Sequence, residues 1–216
     1  MAARRAARMA LSLAAGVAAV CVALPVAPAA AAGGPSPHAA GASDWTTFDQ
    51  NPMRTGVDAS GTSFSPASPA WTSPALDGHL YGQPLVDAGR VFVATENDTV
   101  YALAADDGHV LWSAHVGTPV TASDLGCGDI SPTVGITSTP VVDPARSEIF
   151  VVADEAAPSV AAHHLVGLDV YTGAVLYDRV IDYPFTDPAA QLQRVSLALD
   201  AGDVVVGFGG NSGDCG

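Results

Sequence analysis

The chain has 216 residues, 22 acidic side chains and no lysine, and its formal net charge at pH 7 is −14. A protein this acidic repels the phosphates of nucleic acids and of anionic membrane surfaces, so we expect neither as a partner. The length allows one domain of moderate size.

The N-terminus resembles a secretory signal peptide. Three arginines lie within the first eight residues, an apolar run follows from residue 9 to 26, and four consecutive alanines come next. A membrane anchor is the alternative, but the run is rich in alanine and two prolines lie in or directly after it. We therefore expect residues 1–32 to be removed on export, which leaves a secreted, extracellular protein without a membrane span.

Cleavage at that point leaves 184 of the 216 residues and two of the three cysteines, Cys127 and Cys215. An even number of cysteines in an oxidising compartment predicts one disulfide between them. Two separate buried thiols are the alternative. Residues 33–43 are rich in Gly, Pro, Ser and Ala without an apolar period, so we expect a disordered linker there and ordered structure over residues 44–216.

Residues 44–48 form an aromatic and β-branched run that predicts a short strand. Residues 81–117 then alternate short apolar runs with Asp/Gly turn clusters, a pattern typical of a four-stranded meander. The four predicted strands are residues 84–86, 91–95, 99–103 and 110–114.

Parts of this meander recur along the chain. The sequence of residues 83–87 returns in altered form at 139–143, and that of 101–112 returns at 166–177. A third copy of the first hairpin begins at residue 196. The second copy is longer, and we assign its extra residues to turns, chiefly residues 155–164. Repeated four-stranded units predict a β-propeller, whereas a two-sheet sandwich gives no reason for the same turn residues to return in order.

Residues 102–112, ALAADDGHVLW, resemble the tryptophan-docking repeat AxDxxTGxxxW of the PQQ-like β-propellers. Asp107 replaces the threonine, and the first aspartate is either absent, at Ala104, or shifted to Asp106. The second copy has Tyr177 in place of the tryptophan. The resemblance assigns a structural role in the repeat to Ala102, Asp106, Gly108, Trp112, Asp169, Thr172, Gly173 and Tyr177.

The resemblance implies an all-β propeller of four-stranded blades. Propellers close with four to eight blades, whereas this chain holds about two full blades and two partial ones. We therefore expect an incomplete, truncated propeller that forms the N-terminal part of a longer one. Residues 44–48 would close the ring by joining its last blade.

The resemblance implies an exported binding or scaffold module with an unknown protein or carbohydrate ligand. The alternative is a PQQ- and calcium-dependent dehydrogenase of alcohols or sugars. A scaffold for envelope assembly is a third class, against which the missing lipoprotein signal argues. No residue is identifiable as catalytic, no cofactor-binding residue is assigned, and residues 118–135 are the segment in which we expect binding loops.

Two groups of residues contain potential metal ligands, but the spacing of neither group is that of a metal site. Asp124, Asp129 and Asp214 offer oxygen ligands, but their spacing is not that of a calcium loop. His163 and His164 are consecutive, so in a strand they would point to opposite faces and would not share an ion. We expect them in a surface loop and predict no metal ligand.

Overall fold

The computed structural model describes residues 44–58, 60–61, 69–184 and 187–211, all within one compact unit, Pro35–Gly216. The expected signal peptide and linker, and also Asp214 and Cys215, lie outside the described residues. No helix among the described residues is long and apolar enough to cross a membrane.

The predicted meander of residues 81–117 is confirmed as one antiparallel sheet, which we call blade 1. Its strands are hydrogen-bonded in the order of the sequence. They are β1 (Leu85–Asp87), β2 (Arg90–Ala94), β3 (Thr99–Ala104) and β4 (Val110–His115).

The segment after blade 1 forms a small structure of its own. A two-stranded sheet joins β5 (Val120–Thr121) to β6 (Thr133–Val134), and a 3₁₀ turn spans Ala122–Asp124. The expected loop over residues 118–135 therefore contains regular structure.

The second copy is blade 2, whose strands are β7 (Val141–Asp143), β8 (Glu148–Ala157), β9 (Val160–Asp169) and β10 (Val175–Val180). The assignment of residues 155–164 to turns is wrong, because β8 and β9 are ten residues each and pair as far as Ala157 and Val160. Residues 156, 157, 161 and 162 are alanines, which suit a buried or an exposed position alike. The alternation of apolar and polar residues that identifies a strand is therefore not visible in this stretch.

The third copy begins as expected, with a hairpin of β12 (Ala198–Asp200) and β13 (Asp203–Val205). A second short sheet pairs β11 (Gln191–Leu192) with β14 (Gly209–Gly210), and a 3₁₀ turn, Pro188–Ala190, precedes it. Residues 207–210 had the composition of a turn, but the last two of them are paired in this sheet.

The first hairpins of the three copies close in the same way, because an aspartate ends each first strand and pairs with the first residue of the second. Asp87 pairs with Arg90, Asp143 with Glu148 and Asp200 with Asp203. The turns after Asp87 and Asp200 are both Ala-Gly with positive φ at each residue, which is the type I′ geometry that matches strand twist. The repeat in the sequence is therefore a repeat in the structure.

The first strands of successive sheets lie side by side, whereas the last strands face outward. The backbone N–H of Leu197 donates to the carbonyl of Thr139 at 3.0 Å, which joins the third copy to blade 2. All six residues of β10 are exposed. This radial arrangement is that of an incomplete β-propeller.

Residues 44–48 lie at the inner ends of the blades. Trp45 exchanges two backbone hydrogen bonds with Val86 of β1, at 2.7 and 2.9 Å, and the carbonyl of Thr46 accepts from the N–H of Val142 at 2.8 Å. The expected strand is thus reduced to a single bridge. Its backbone hydrogen bonds go to the first strands of both complete blades.

One tryptophan joins each complete blade to the element before it. Trp71 Nε1 donates to the carbonyl of Ala105 at 3.0 Å, and Trp112 Nε1 donates to that of Val170 at 3.1 Å. Their rings cover Gly108 and Gly173, where an added Cβ would lie 2.4 and 2.5 Å from a ring carbon. Both glycines have positive φ, so each turn needs glycine for conformation and for space.

The turns show which positions of the two repeats correspond. Gly108 N–H donates to the carbonyl of Ala104, and Gly173 N–H donates to that of Asp169, both at 2.9 Å. Ala104, and not the exposed Asp106, therefore occupies the position of Asp169. The Asp169 carboxylate accepts from Thr172 at its N–H and at its hydroxyl, at 2.8 and 2.9 Å.

Tyr177 occupies the place in blade 2 that Trp112 occupies in blade 1. Trp112 pairs across the strands with Ala102, and Tyr177 pairs with the corresponding Gly167. Tyr177 remains exposed, with Arg179 over its ring at 5.7 Å.

Between the blades lies the main core, whose largest fully buried members are Leu85, Phe92, Val100, Ile136, Ile149 and Leu168. Trp112 packs against this core, with its ring centroid 6.0 Å from that of Phe92. Packing between two sheets, rather than within one, is what makes consecutive blades mutually dependent.

Candidate functional site

Three segments meet at one end of the blades and form a surface that we call the insert rim. They are the turn 95–98 between β2 and β3, the insert 118–135, and the outer half of the β8–β9 hairpin, residues 154–164. Backbone hydrogen bonds tie Ala156 to Thr118 at 2.8 Å and Asp154 to Gly135 at 3.3 Å. The extension of blade 2 therefore supports the insert.

A second apolar cluster lies beneath this rim. It contains residues from the insert, from β9 and from β11, namely Val120, Leu125, Ile130, Val134, Ala161 and Leu192. Because these side chains are buried, the insert is held as a packed structure rather than as a hanging loop.

The insert rim also buries three carboxyl groups. Glu96, Asp98 and Asp154 are exposed by only 1, 0 and 2%. One oxygen of Glu96 accepts from the N–H of Gly135 at 2.7 Å and from the hydroxyl of Thr137 at 3.1 Å. Its other oxygen, and both oxygens of Asp98 and of Asp154, have no hydrogen-bond partner among the described residues.

Burial changes the protonation of these groups. It raises the pKa of Asp98 to about 9, with a further rise from the neighbouring charges of Glu155, Asp154 and Glu96. Burial, together with Asp182 and Glu96, raises the pKa of Asp154 to about 8, and burial raises that of Glu96. Asp98 is thus a neutral acid at pH 7 that can donate a hydrogen bond, and Asp154 keeps its proton to a higher pH than an exposed carboxyl group does.

His163 is fully buried beside these acids. Its Nδ1 lies 2.7 Å from Asp182 Oδ1, its Nε2 lies 3.9 Å from Asp154 Oδ2, and its backbone N–H donates to Asp182 at 3.1 Å. Phe208 packs edge-on, with 4.9 Å between ring centroids. The expectation of a surface loop for His163 and His164 is wrong, because both lie in β9 and the acidic partners of His163 compensate for its burial.

His164 points to the opposite face of the sheet from His163, as expected for consecutive strand residues. Its Nδ1 lies 2.8 Å from Asp178 Oδ1 and 3.4 Å from Glu155 Oε1. Sequence reasoning missed this trio because its members come from three strands.

The aspartates singled out in the insert do not form a site. Asp124 and Asp129 are exposed, and neither belongs to a group of potential metal ligands among the described residues. Asp214 lies outside the described residues.

Cys127 lies near the C-terminal segment. Its Sγ is 3.7 Å from the carbonyl oxygen of Asn211, whose side chain donates to the carbonyl of Cys127 at 3.2 Å. The pairing of Cys127 with Cys215 stays a prediction, since Cys215 is outside the described residues.

A separate pocket of about 340 Å³ lies near residues 44–54. Two arginines line it together with two aromatic rings. Arg54 stands over Phe48 at 5.5 Å, and Arg194 stands over Tyr81 at 5.4 Å. This pocket combines positive charge with flat apolar surfaces.

Solved structures of propeller proteins resemble this chain in fold. A quinohemoprotein alcohol dehydrogenase from Comamonas testosteroni shares 16% identity, with 78% of this chain covered, 23% of that chain covered and a TM-score of 0.52. BamB from Moraxella catarrhalis shares 14% identity over 64% and 37% of the two chains, with a TM-score of 0.48. A europium-containing methanol dehydrogenase shares 19% identity, with 49% of this chain covered, 16% of that chain covered and a TM-score of 0.36.

This chain thus spans well under half the length of each of these proteins. No curated protein matches it. A family model described as outer membrane protein assembly factor BamB matches residues 56–213. The chain therefore belongs to this family of PQQ-like β-propeller repeat proteins.

Proposed function

We propose that this protein is an exported binding module whose insert rim holds a protein partner. The observation that carries the proposal is the extended β8–β9 hairpin, which reaches past its counterpart in blade 1 and packs on the insert. An elaboration confined to one end of a repeated fold is where binding surfaces commonly lie. The family's description as an assembly factor supports a protein partner.

The charge of the insert rim favours a basic partner. Asp124 and Asp129 are exposed on the insert, and the chain contains no lysine to offset them. Complementary charge would steer such a partner to this end of the blades. A carbohydrate ligand is the other class, and it would bind with little dependence on salt.

Export is supported by the signal-like N-terminus and by the position of Cys127. A disulfide to Cys215 would tie the insert to the C-terminal segment, which the contacts between Cys127 and Asn211 already bring together. The N-terminal sequence of the exported protein should begin near residue 33.

A photo-crosslinking experiment tests the binding surface. Benzoylphenylalanine at Val160, in the tip of the long hairpin, is compared with the same residue at Ala88, in the opposite turn of blade 1. Both positions are exposed and have positive φ, so the substitutions are matched in backbone strain. We expect a crosslinked protein from position 160 only, lost when Asp124 and Asp129 are changed to Asn. Crosslinks of equal strength from both positions, or none from 160, would contradict the proposal.

The second candidate is a PQQ- and calcium-dependent dehydrogenase, and the pocket of Phe48, Tyr81, Arg54 and Arg194 favours it. PQQ is a flat tricarboxylate, which suits aromatic faces and guanidinium groups. When bound, it would supply a two-electron oxidant for an alcohol or sugar. In that case addition of PQQ and calcium to the protein would produce dye-linked oxidation that Arg194→Ala abolishes.

A further inference from the structure

Glu155, His164 and Asp178 come together through the register of three neighbouring strands. His164 of β9 pairs with Ala153 of β8 on one side and with Val180 of β10 on the other. Glu155 and Asp178 each lie two residues from those partners, so all three side chains share one face of the sheet.

The ligand atoms of these side chains are close to one another. The Nδ1 of His164 lies 2.8 Å from Asp178 Oδ1 and 3.4 Å from Glu155 Oε1, and all three atoms lie within 4.8 Å of one another. Ligand atoms about 2.0–2.2 Å from one ion in a tetrahedral site lie about 3.3–3.6 Å apart. The separation between His164 and Glu155 therefore suits one coordination sphere, and that between His164 and Asp178 is slightly shorter.

A simple ion pair does not account for both carboxylates. Two carboxylate oxygens lie against one ring nitrogen, whose single N–H can point well at only one of them. The Nδ1 is closer to Asp178, and Glu155 Oε1 is buried without a hydrogen-bond partner. A cation among the three atoms would interact with all of them at once.

The surroundings hold Glu155 in place. Its side chain packs on Gly117, where an added Cβ would lie 2.3 Å from the carboxyl carbon, and its backbone is bridged to Pro119. Asp98 is fully buried nearby. The side chain of Glu155 is 18% exposed, His164 22% and Asp178 46%, which leaves one side open to water.

We propose that Glu155, His164 and Asp178 bind a divalent transition-metal ion of the zinc type, with its remaining positions open to water or to a side chain of a partner. One imidazole and two carboxylates are ligands that such ions accept, whereas imidazole does not suit calcium. The site stands independently of the proposed function.

The chain offers a matched control. His109 Nδ1 lies 2.6 Å from Asp107 Oδ1, in an exposed pair that has one carboxylate instead of two. A surface His-Asp pair of this kind should not hold a metal ion tightly, so loss of His109 should leave binding unchanged.

The experiment titrates the untagged protein with Zn²⁺ by calorimetry, in parallel with His164→Gln, Asp178→Asn and His109→Gln. We expect one Zn²⁺ per chain, a loss of affinity of at least tenfold in the first two variants, and wild-type binding in the third. Circular dichroism checks folding, and Co²⁺ loading gives an absorption band that should vanish with His164→Gln.

Three outcomes would overturn the site. They are no Zn²⁺ binding by the wild-type chain, equal affinity in His164→Gln, and equal losses in His164→Gln and His109→Gln. Calcium binding that His164→Gln leaves intact and Asp98→Asn abolishes would place the cation among the buried carboxyl groups instead, and would also overturn the assignment.

Discussion

Replacement of Asp98 by asparagine should stabilise the protein in a pH-dependent way. The pKa of Asp98 rises from 3.8 to about 9 on folding, chiefly because the carboxyl group is buried. Above pH 4 the unfolded chain releases a proton that the folded chain keeps. The stability of the wild type therefore falls as the pH rises from about 4 to about 9.

The size of the effect follows from the pKa values. Each unit of pH between them costs about 1.4 kcal/mol, so three units, from pH 4 to pH 7, cost of order 4 kcal/mol. An asparagine side chain at this position is neutral at every pH and does not incur this cost. The Asp98→Asn substitution should thus raise the free energy of unfolding little at pH 4 and by up to about 4 kcal/mol at pH 7.

Urea denaturation at pH 4, 5.5 and 7, with a chelator present, measures the difference in free energy of unfolding between the two chains. Asp107→Asn is the control, because its exposed carboxylate accepts hydrogen bonds from His109 that hold its pKa below the usual value. Removal of the Asp107 carboxylate should not raise the free energy of unfolding at pH 7. A gain for Asp98→Asn that is the same at all three pH values, or below 1 kcal/mol at pH 7, would refute the reasoning.

Three further predictions concern the joints of the fold. Trp112→Ala should cost about 3–5 kcal/mol in the free energy of unfolding, and a measured loss below 1 kcal/mol would contradict the docking role. Gly173→Ala should cost well above the ~1–2 kcal/mol that left-handed φ alone imposes, because the new methyl meets the ring of Trp112. Gly89→Ala, with a similar φ and open space, is its control. Peptide mapping without reductant should recover Cys127 joined to Cys215, and free thiols at both would exclude the bridge.

The fold could be predicted from sequence because its signals are local. Strand runs, Asp/Gly turns and the recurrence of the docking pattern lie within a few residues of one another, and blade 1 matches its prediction closely. The β8–β9 extension cannot be predicted in this way, because alanine-rich strands carry no clear period and the sequence therefore places its histidines in a loop.

The chemistry of the insert rim could not be predicted in the same way. Glu96, Asp98 and Asp154 occur beside turns or in ordinary strand sequence, where an acidic residue is normally solvated. Their burial arises only when the insert and the long hairpin fold over the 95–98 turn. Pairings across strands likewise place His164 between Glu155 and Asp178, and no spacing in the sequence reveals them.

The repeat and its departures therefore have different origins. The three first hairpins each close with a paired aspartate, and two of the three described tryptophans each cover a glycine turn. These positions are therefore determined by how the blades form and join. The insert and the extended hairpin have no counterpart in blade 1, yet they enclose buried acids whose desolvation costs stability. A fold held by its repeated parts can tolerate that cost at one rim, and a costly feature outside the repeat is where function is best sought.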